Sequence, residues 1–266
     1  MKKLLVIVAA SGFLAGPTMA ADLPVKAPPL APVATSSWAG CYLGLNAGFV
    51  RNASTYTLSP SGAFAGNPLN PLRTDSGDFT GTAGTVGGTL GCNLQSGNLV
   101  YGLEGDLNWS GIRDSDTVDR ALVAPLAGRL VHTVTHDVKW FGTLRGRLGW
   151  VVNNLLIYGT GGLALASVSS TSNVLFTLGS DRYAGSTSTT RVGWTLGAGG
   201  EYALGPKWSL KAEYLYVDLG SFSYLDPNVP PPAFPTFSYT TDGKTRFHVA
   251  RLGLNLKFSG MPLASR

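Results

Sequence analysis

Two segments of the chain carry charges at alternate positions. Glu104 and Asp106 stand two residues apart in the first segment, and Arg145 and Arg147 stand two residues apart in the second. Because alternate side chains of a β-strand point to the same face, each pair would lie on one side of its strand. Carboxylates that face guanidinium groups form strong paired hydrogen bonds, whereas rings of unpaired charge give pores their ion selectivity. The spacing therefore predicts either a hydrogen-bonded polar interior or a narrow pore that prefers anions.

Further segments repeat this alternation of charge with apolar residues. The complete set predicted to face the interior is Glu104, Asp106, Lys139, Arg145, Arg147, Arg191, Glu201, Lys211, Glu213, Arg251 and Lys257. An enclosed charge without a partner would cost several kcal/mol. We therefore expect Glu104 to form a salt bridge with Arg145 or Arg147 if these segments are neighbouring strands.

The opposite face of each segment is apolar, so these charges require strands with one polar and one apolar side. Eight segments follow this period of two: Trp38–Val50, Phe79–Asn93, Leu99–Ser110, Val138–Trp150, Leu155–Val168, Arg191–Tyr202, Trp208–Val217 and Thr245–Phe258. A tilted strand needs about 9–11 residues to cross a bilayer, and each segment is long enough.

The connections between these segments alternate between long and short. The four long ones are Arg51–Asp78, Gly111–Asp137, Ser169–Thr190 and Asp218–Lys244. Long loops on one side and tight turns on the other are typical of outer-membrane barrels. We therefore predict an all-β protein: a closed, eight-stranded antiparallel transmembrane β-barrel, filled with side chains, with four long extracellular loops.

Composition excludes several other classes of protein. Charged residues make up only 13% of the 266-residue chain, while aromatic residues make up 10%. Disordered chains lack aromatic residues, and after the N-terminus no apolar run reaches the roughly 20 residues that a spanning helix needs. The net charge of +5 suggests nucleic-acid binding. However, the predicted loops carry more aspartates than basic residues, so no exposed basic patch is expected and nucleic acid is excluded as a partner.

The chain begins with features of an exported protein. Residues 1–20 have a basic start, a short apolar core and a small-residue ending at Ala20, which predicts a signal peptide. Residues 21–37 are proline-rich and suit an extended tether. The barrel would then occupy 38–258 and a short tail 259–266. Both termini are expected in the periplasm.

Large aromatic residues recur on the apolar face at intervals that fit the height of a membrane. Trp140 and Trp150 are ten residues apart, or roughly 25 Å along the axis of a tilted strand. The predicted girdles at the two membrane interfaces consist of Tyr101, Trp109, Trp140, Trp150, Trp194 and Tyr202.

Cysteines and histidines are few, and each leaves alternatives open. Cys41 and Cys92 would be directly opposed if Trp38 lies opposite Gln95, so they form either a cross-strand disulfide or two free thiols facing lipid. His132 and His136 could bind a metal ion or haem only if their segment were helical, and otherwise belong to the rim or a loop. His248 has no serine at a hydrolase spacing. We therefore predict no metal site, no cofactor and no enzymatic activity.

The last predicted strand carries a pattern that the outer-membrane barrel-assembly machinery recognises. Its signal residues are Arg251, Gly253, Leu256 and Phe258. A strand edge must be captured before it meets lipid, because unpaired backbone groups in hydrocarbon cost several kcal/mol each. The assembly machinery and periplasmic chaperones are therefore expected partners.

Several separated motifs resemble one known family. They are Ala21–Pro29, Trp38–Asn46, Tyr101–Leu107, Arg145–Gly149 and Glu213–Tyr216. In this order they resemble the outer-membrane immunogenic proteins of alpha-proteobacteria, porin-family surface antigens related to the OmpA transmembrane domain.

This resemblance implies an OmpA-like barrel that acts as a structural surface protein of the outer membrane. Its partners would be membrane lipids and lipopolysaccharide. Haemin binding, reported within the family, is an alternative that the resemblance alone implies, beside the narrow anion-preferring porin. The sequence predicts no oligomeric state.

Overall fold

The computed structural model describes residues 37–66, 74–121, 128–177, 182–229 and 236–258. The predicted signal peptide, residues 21–36 of the predicted tether and the tail 259–266 lie outside the described residues. The strands are β1 (Gly40–Asn52), β2 (Ser54–Gly62), β3 (Asp75–Phe79), β4 (Thr82–Ser96), β5 (Leu99–Ala121), β6 (Arg129–Val152), β7 (Leu155–Phe176), β8 (Arg182–Ala203), β9 (Trp208–Pro227) and β10 (Phe237–Phe258). Within the described ranges no helix is long and apolar enough to cross a membrane.

Eight of these strands close into a ring. In the order β1, β4, β5, β6, β7, β8, β9, β10 each strand pairs antiparallel with the next, and β10 pairs back with β1. This confirms the predicted closed, eight-stranded antiparallel barrel. The strands β2 and β3 add to one end of the ring, because β2 pairs with β10 and β3 pairs with β2. They lie almost entirely within the segment predicted as the first long loop.

The two ends of the barrel differ in their connections. The turn end carries the short connections that join β4 to β5, β6 to β7 and β8 to β9. Gly97 (φ 60°) and Asn153 (φ 56°) occupy the left-handed region there. Two-residue hairpin turns require this conformation, which glycine and asparagine adopt most readily. The opposite end, where β2 and β3 lie, is called the extended end.

The strands extend further at that end than the sequence predicted. The segments Gly111–Asp137, Ser169–Thr190 and Asp218–Lys244, predicted as loops, lie mostly in β5 to β10. The prediction was wrong because it required an apolar face on each strand. Beyond the apolar positions the outward side chains are polar; Thr117 and Thr133, for example, share a hydrogen bond between β5 and β6. Backbone pairing with neighbouring strands continues regardless of that change in side chains.

A β-bulge displaces one predicted interior residue. The pairing of β6 with β7 shifts register between Val138 and Trp140. Val138 is buried and Lys139 is exposed, whereas the sequence predicted Val138 on the apolar outer face and Lys139 inside. A bulge inserts one residue without a partner, and side chains beyond it point to the opposite face. The inward positions of β6 are therefore even-numbered up to Val138 and odd-numbered from Phe141.

An apolar band surrounds the ring on its outer face. Its exposed side chains include Leu43, Leu45, Phe49, Val86, Leu103, Leu107, Leu144, Leu148, Leu163, Leu196 and Leu252. Of the predicted girdle, Tyr101, Trp109, Trp150, Trp194 and Tyr202 are exposed on this face, and Trp140 is partly exposed. Apolar exposure over such an area is unusual for a protein surrounded by water.

The interior is stacked in layers along the barrel. Buried inward residues of β6 include, from the turn end, Val151, Arg147, Arg145, Phe141, Val138, His136 and His132. The basal layer, nearest the turn end, consists of Trp38, Val100, Val151, Leu156, Tyr158 and Ala203. Charged side chains follow. The apolar layer beyond them includes Val50, Phe141, Ala166, Leu215, Val217 and Phe247. Histidine and aromatic side chains fill the extended end.

Candidate functional site

The charged layer is called the ionic cluster. It contains four carboxylates and four cationic side chains: Glu104, Asp106, Glu201, Glu213, Arg145, Arg147, Lys211 and Arg251. None of them is more than 9% exposed. The equal numbers of opposite charges make the cluster neutral, which differs from the basic excess that the sequence predicted for the interior.

Glu104 forms ion pairs with three cations of the ionic cluster. It lies directly opposite Arg145 in the pairing of β5 with β6, and Arg145 Nη2 is 2.5 Å from Glu104 Oε1. Lys211 Nζ lies 2.9 Å from Glu104 Oε2, and the Tyr42 hydroxyl donates to the same oxygen at 2.5 Å. Arg147 is farther away, at 3.6 Å. One carboxylate therefore links strands β1, β5, β6 and β9.

Asp106 and Glu213 bridge two guanidinium groups. Arg145 lies 2.9 Å from Asp106 and 3.0 Å from Glu213. Arg251 lies 2.9 Å from Asp106 and 2.6 Å from Glu213. Asp106 and Glu213 thus each contact both arginines, and Arg145 contacts Glu104 as well. This arrangement satisfies the charge and most of the donors of both guanidinium groups.

Glu201 and Arg147 complete the ionic cluster on the side of the basal layer. Arg147 Nη2 lies 2.9 Å from Glu201, which also accepts hydrogen bonds from Ser209 and Asn255. The Arg147 guanidinium stacks over the ring of Tyr158 at 3.9 Å. A cation over an aromatic face is stabilised by the ring quadrupole.

Two glycines provide the space that the tyrosines of this region need. A Cβ at position 91 would lie 2.4 Å from the Tyr42 hydroxyl, and a Cβ at position 199 would lie 2.5 Å from the Tyr158 hydroxyl. Neither distance is possible without displacement. Gly91 and Gly199 therefore allow both hydroxyl groups to reach their carboxylate partners, Glu104 and Glu213.

Three residues predicted for the interior network lie elsewhere. Lys139 is exposed at the bulge of β6. Arg191 faces inward near the extended end, where its guanidinium stacks over Phe222 at 4.8 Å, and it has no ion pair among the described residues. Lys257 reaches the turn end, where its ammonium lies 4.7 Å from the ring centre of Trp38. The strand tilt and the bulge separate these cations from the carboxylates, although alternation alone groups them.

The histidine cluster fills the interior at the extended end. We define it as Asp75, His132, His136, Ser172 and Asp226, which are all buried. His132 Nδ1 lies 3.5 Å from Asp75 Oδ2, and its Nε2 lies 3.2 Å from Ser172 Oγ. The sequence missed three of these five residues, because Asp75, Ser172 and Asp226 stand in segments predicted as loops.

His136 lies between two aromatic rings. Its ring stacks on Phe79 with centroids 5.3 Å apart and on Phe222 with centroids 6.2 Å apart. In the part of the chain that the structure describes, neither of its ring nitrogens has a hydrogen-bond partner. This surrounding stabilises a neutral imidazole and gives no support to a charged one.

Burial changes the titration of the histidine cluster. Loss of hydration lowers the pKa of His136 to about 4, although the nearby Asp114 opposes this shift. Burial also lowers the pKa of His132, against the opposing effect of Asp75. Burial raises the pKa of Asp226 to about 6, with hydrogen bonds from Thr241 and Ser172 opposing it. Burial therefore favours the neutral imidazole of both histidines and the protonated form of Asp226.

The two histidines of β6 cannot share one metal ion. His132 and His136 lie on a strand, where positions four apart are separated by about 13 Å. The helix that the metal or haem alternative required is not formed. Among the described residues no group of three or more His, Cys, Asp or Glu side chains is placed to hold a metal ion.

The two cysteines meet on the outer face. Cys41 of β1 lies directly opposite Cys92 of β4, and the structure joins them in a disulfide. The backbone amide of Trp38 donates to Gln95 Oε1 at 2.6 Å in the same pair of strands. The covalent link therefore ties the first strand of the ring to its neighbour near the turn end.

The predicted assembly residues lie at the closing seam of the ring. Phe258 pairs with Cys41, Leu256 with Leu43 and Gly253 with Asn46, all between β10 and β1. Phe258 is exposed on the outer face, whereas Arg251 and Gly253 point inward. Arg251 thus belongs to both the seam and the ionic cluster.

This geometry, an apolar outer band around a closed antiparallel ring, agrees with the comparisons to known proteins. The profile of the outer membrane protein β-barrel domain family matches residues 6–258. The chain belongs to this family. The match confirms the resemblance inferred from the motifs, and it places the protein in the outer membrane, where lipid covers the apolar band.

Curated relatives within the outer-membrane β-barrel family include a 31 kDa outer-membrane immunogenic protein of Brucella melitensis. It is 37% identical to this chain, and the match covers 96% of this chain and 100% of the Brucella protein. A 22 kDa outer membrane protein of Rhizobium leguminosarum is 32% identical over 76% of this chain and 81% of its own length. Among solved structures, the outer membrane protein OprG of Pseudomonas aeruginosa has a TM-score of 0.47 and 14% identity, covering 83% of this chain and 97% of OprG.

Proposed function

We propose that this protein is a structural surface protein of the outer membrane: a barrel that does not conduct ions and that displays its extended end outside the cell. The turn end and both termini would face the periplasm. The names of the Brucella relatives, outer-membrane immunogenic proteins, support a role as a surface antigen.

The filled interior is the observation that carries this proposal. The neutral ionic cluster lies between the basal layer and the apolar layer, in which Phe141 and Phe247 pack with ring centroids 5.3 Å apart. An eight-stranded barrel is just wide enough for side chains to fill its interior. An ion crossing it would have to displace paired charges and pass two apolar layers.

Single-channel recording in planar bilayers tests this proposal against the narrow porin. The refolded chain should give no conductance steps at any ionic strength, while a general porin reconstituted in the same way provides the positive control. Reproducible steps that prefer anions would contradict the proposal and favour a pore through the ionic cluster.

The predicted orientation can be tested by cysteine labelling on whole cells. The background variant would be Cys41→Ser with Cys92→Ser, which removes the disulfide. In it, Thr117→Cys reports the extended end and Asn98→Cys reports the turn end, both at exposed positions. A membrane-impermeant maleimide should label only Thr117→Cys. Labelling of Asn98→Cys alone would invert the topology, and would also remove the extended end as the antigenic surface.

We also propose that the protein is not an enzyme. The order Asp75, His132, Ser172 is that of a hydrolytic relay, in which a base activates a serine nucleophile. However, His132 and Ser172 are 0% exposed and Asp75 is 1% exposed. A substrate could not approach the Ser172 hydroxyl through such packing. A fluorophosphonate probe should therefore leave Ser172 unmodified, and its covalent attachment would contradict this part of the proposal.

Assembly partners follow from the closing seam between β1 and β10. We propose that the barrel-assembly machinery captures β10 through Phe258, which is 47% exposed on the outer face. Phe258→Ala should lower the amount of folded protein in the outer membrane but not the yield of refolding into detergent. Leu254→Ala, a change on the same face of the same strand, provides the control. Equal loss in both variants would show that the seam needs general apolar surface rather than a terminal aromatic residue.

A further inference from the structure

The outer face of the barrel carries an apolar groove that the proposed function leaves unexplained. Its volume is about 1090 Å³. Aromatic and aliphatic side chains, among them Phe49, Trp109 and Leu252, border it, and its floor is formed by Ala47, Ala198, Ala212 and Ala250. Elsewhere on the outer face, many outward positions of the strands carry leucine. The surface is therefore recessed where alanines take their place.

The groove runs perpendicular to the strands, along the direction of their hydrogen bonds, and is therefore oblique to the barrel axis because the strands are tilted. Cross-strand partners place Ala198 beside Tyr214, Tyr214 beside Ala250, Ala250 beside Phe49 and Phe49 beside Gly84. Ala198 lies near the turn end of β8, whereas Gly84 lies far from the turn end of β4. The groove therefore descends from the extended side of the apolar band toward the middle of the membrane.

Three basic residues, Arg51, Arg113 and Lys139, lie around the end of the groove that is nearer the extended end of the barrel. Arg51 follows Phe49 on the same face of β1, and Arg113 follows Trp109 on the same face of β5. Only β4 separates these strands, which gives a spacing of about 10 Å between their backbones. Contacts across β4 connect the two sites, since Asn52 donates to Asp114 at 2.7 Å.

Lys139 completes this basic group. It is exposed at the bulge of β6, and its neighbour Val138 pairs with Ile112 of β5. In the described ranges Asp137 is the one carboxylate that ion-pairs with any of the three cations, at 3.3 Å from Arg113. The Arg113 side chain nevertheless remains 80% exposed. A net positive charge therefore stands where the apolar band ends, above an apolar recess.

We propose that this surface binds a phosphorylated, acylated glycolipid of the outer leaflet, of the lipid A type. An acyl chain would occupy the groove, and phosphate oxygens would accept hydrogen bonds from Arg51, Arg113 and Lys139. Guanidinium groups match phosphate geometry, and basic clusters beside a membrane surface attract anionic head groups. The inference rests on the proposed orientation, because only the outer leaflet meets the extended end. A second copy of the chain fits less well, since the same basic residues would approach one another.

Native mass spectrometry of the full chain in detergent, titrated with lipid A, tests this inference. One lipid should remain bound. The triple variant Arg51→Gln, Arg113→Gln, Lys139→Gln should lower the apparent affinity by about tenfold or more, since each basic residue near an anionic surface contributes about 1 kcal/mol. Arg182→Gln, an exposed arginine at the extended end of β8, is the matched control and should bind like the wild type.

Groove filling provides an independent test of the apolar part. Ala250→Leu with Ala198→Leu should lower lipid A retention without changing the fold, because both side chains point outward. Gly159→Leu enlarges an outward position where an added Cβ meets nothing within 4 Å, and should have no effect. The fluorescence of Trp109 is obtained by subtracting the spectrum of the Trp109→Phe variant. It should change when lipid A binds to the protein with alanines at positions 198 and 250, and should not change when leucines fill the groove.

The source of the phosphate is tested with two further lipids. Dephosphorylated lipid A should bind to the wild type as weakly as lipid A binds to the triple variant, and phosphatidylglycerol should bind more weakly than lipid A. Equal binding of all three lipids, unchanged affinity in the triple variant, or a lipid-independent dimer would overturn the inference. These measurements do not depend on conductance or topology, so the proposed function can fail separately.

Discussion

The ionic cluster and the histidine cluster lie inside the same ring of strands, yet they solve the burial of polar groups in opposite ways. In the ionic cluster, charges are retained, and Arg145 alone contacts Glu104, Asp106 and Glu213. In the histidine cluster, His136 is stacked between rings and its nitrogens have no partner in the described structure.

This difference follows from the number of partners within reach. Four carboxylates meet four cations in the ionic cluster, so each desolvated charge is compensated. In the histidine cluster Asp75 pairs with Arg120 at 2.8 Å, but Asp226 has no ion pair among the described residues. Arg191 stacks on Phe222 instead of pairing with a carboxylate. Neutralisation is then the less costly way to bury an ionisable group. The ionic cluster should therefore be sensitive to mutation, and the histidine cluster to pH.

Removal of one charge from the ionic cluster should have the largest effect. Glu104→Ala leaves Lys211 and part of Arg145 unpaired, so we expect the free energy of unfolding to fall by about 4 kcal/mol. Urea unfolding in detergent, followed by tryptophan fluorescence, measures this loss. The double variant Glu104→Ala with Lys211→Ala should lose less than the sum of the two single variants. Strict additivity would show that the two side chains are separately hydrated.

Asp226→Asn should stabilise the extended end at neutral pH. The folded pKa of about 6 lies above the ordinary value of 3.8, so the folded state binds the proton more tightly. The wild type is therefore most stable below pH 4, loses stability as the pH rises to about 6 and changes little above it. The variant lacks this loss and should be about 3 kcal/mol more stable at pH 7.

Hydrogen exchange of the β7–β9 amides, measured at pH 4 and pH 7, tests the Asp226 prediction. The two proteins should differ at the higher pH and agree at the lower one. Asp242→Asn changes an exposed aspartate of β10 and serves as the control. A variant that is less stable at pH 7 would show that Asp226 is charged and favourably bound.

His136→Phe should remove a loss of stability in acid. The folded pKa of about 4 lies below the ordinary value of 6.5, so the stability that neutral His136 provides is present above pH 6.5 and declines as the pH falls toward 4. At pH 5 the free energy of unfolding of the wild type should be about 2 kcal/mol lower than at pH 7, whereas the variant should not show this decrease. Unfolding curves at pH 7 and pH 5 measure the difference. An unchanged pH dependence in the variant would show that His136 does not cause this loss of stability and would point to His132 instead.

Of these variants, Arg191→Gln should have the smallest effect on the free energy of unfolding. It removes the cation above Phe222, which contributes about 1 kcal/mol or less at a half-buried site. It also removes a positive charge that lowers the pKa of His136, so the folded-state pKa should move toward its ordinary value and less stability should be lost between pH 7 and pH 5. Unfolding curves at pH 7 and pH 5, compared with those of Arg182→Gln, test both effects. An equal loss of stability between the two pH values in Arg191→Gln and Arg182→Gln would mean that Arg191 does not act on His136.

The sequence by itself determined the membrane half of the barrel. Alternation placed Glu104 and Arg145 on inward faces, and an alignment of Trp38 with Gln95 predicted the register that opposes Cys41 to Cys92. These inferences need only the two-residue period of a strand and the difference between lipid and a polar interior. Where the outward face must be apolar, the pattern of residue types is sufficient to predict the strands and the direction of their side chains.

Only the tertiary structure decided the rest. Beyond the apolar band the outward faces are polar, while the inward faces mix apolar, histidine and carboxylate side chains. Alternation therefore loses the contrast that it has in the membrane, and the continuation of β5 to β10 depends on pairing with neighbours. The bulge at Lys139 reverses the alternation of inward and outward side chains within a single residue. No residue type at this position predicts the bulge. The histidine cluster combines Asp75, His132 and Ser172 from β3, β6 and β7. Such contacts arise from strand tilt and ring closure, which bring together residues that no spacing in the sequence relates.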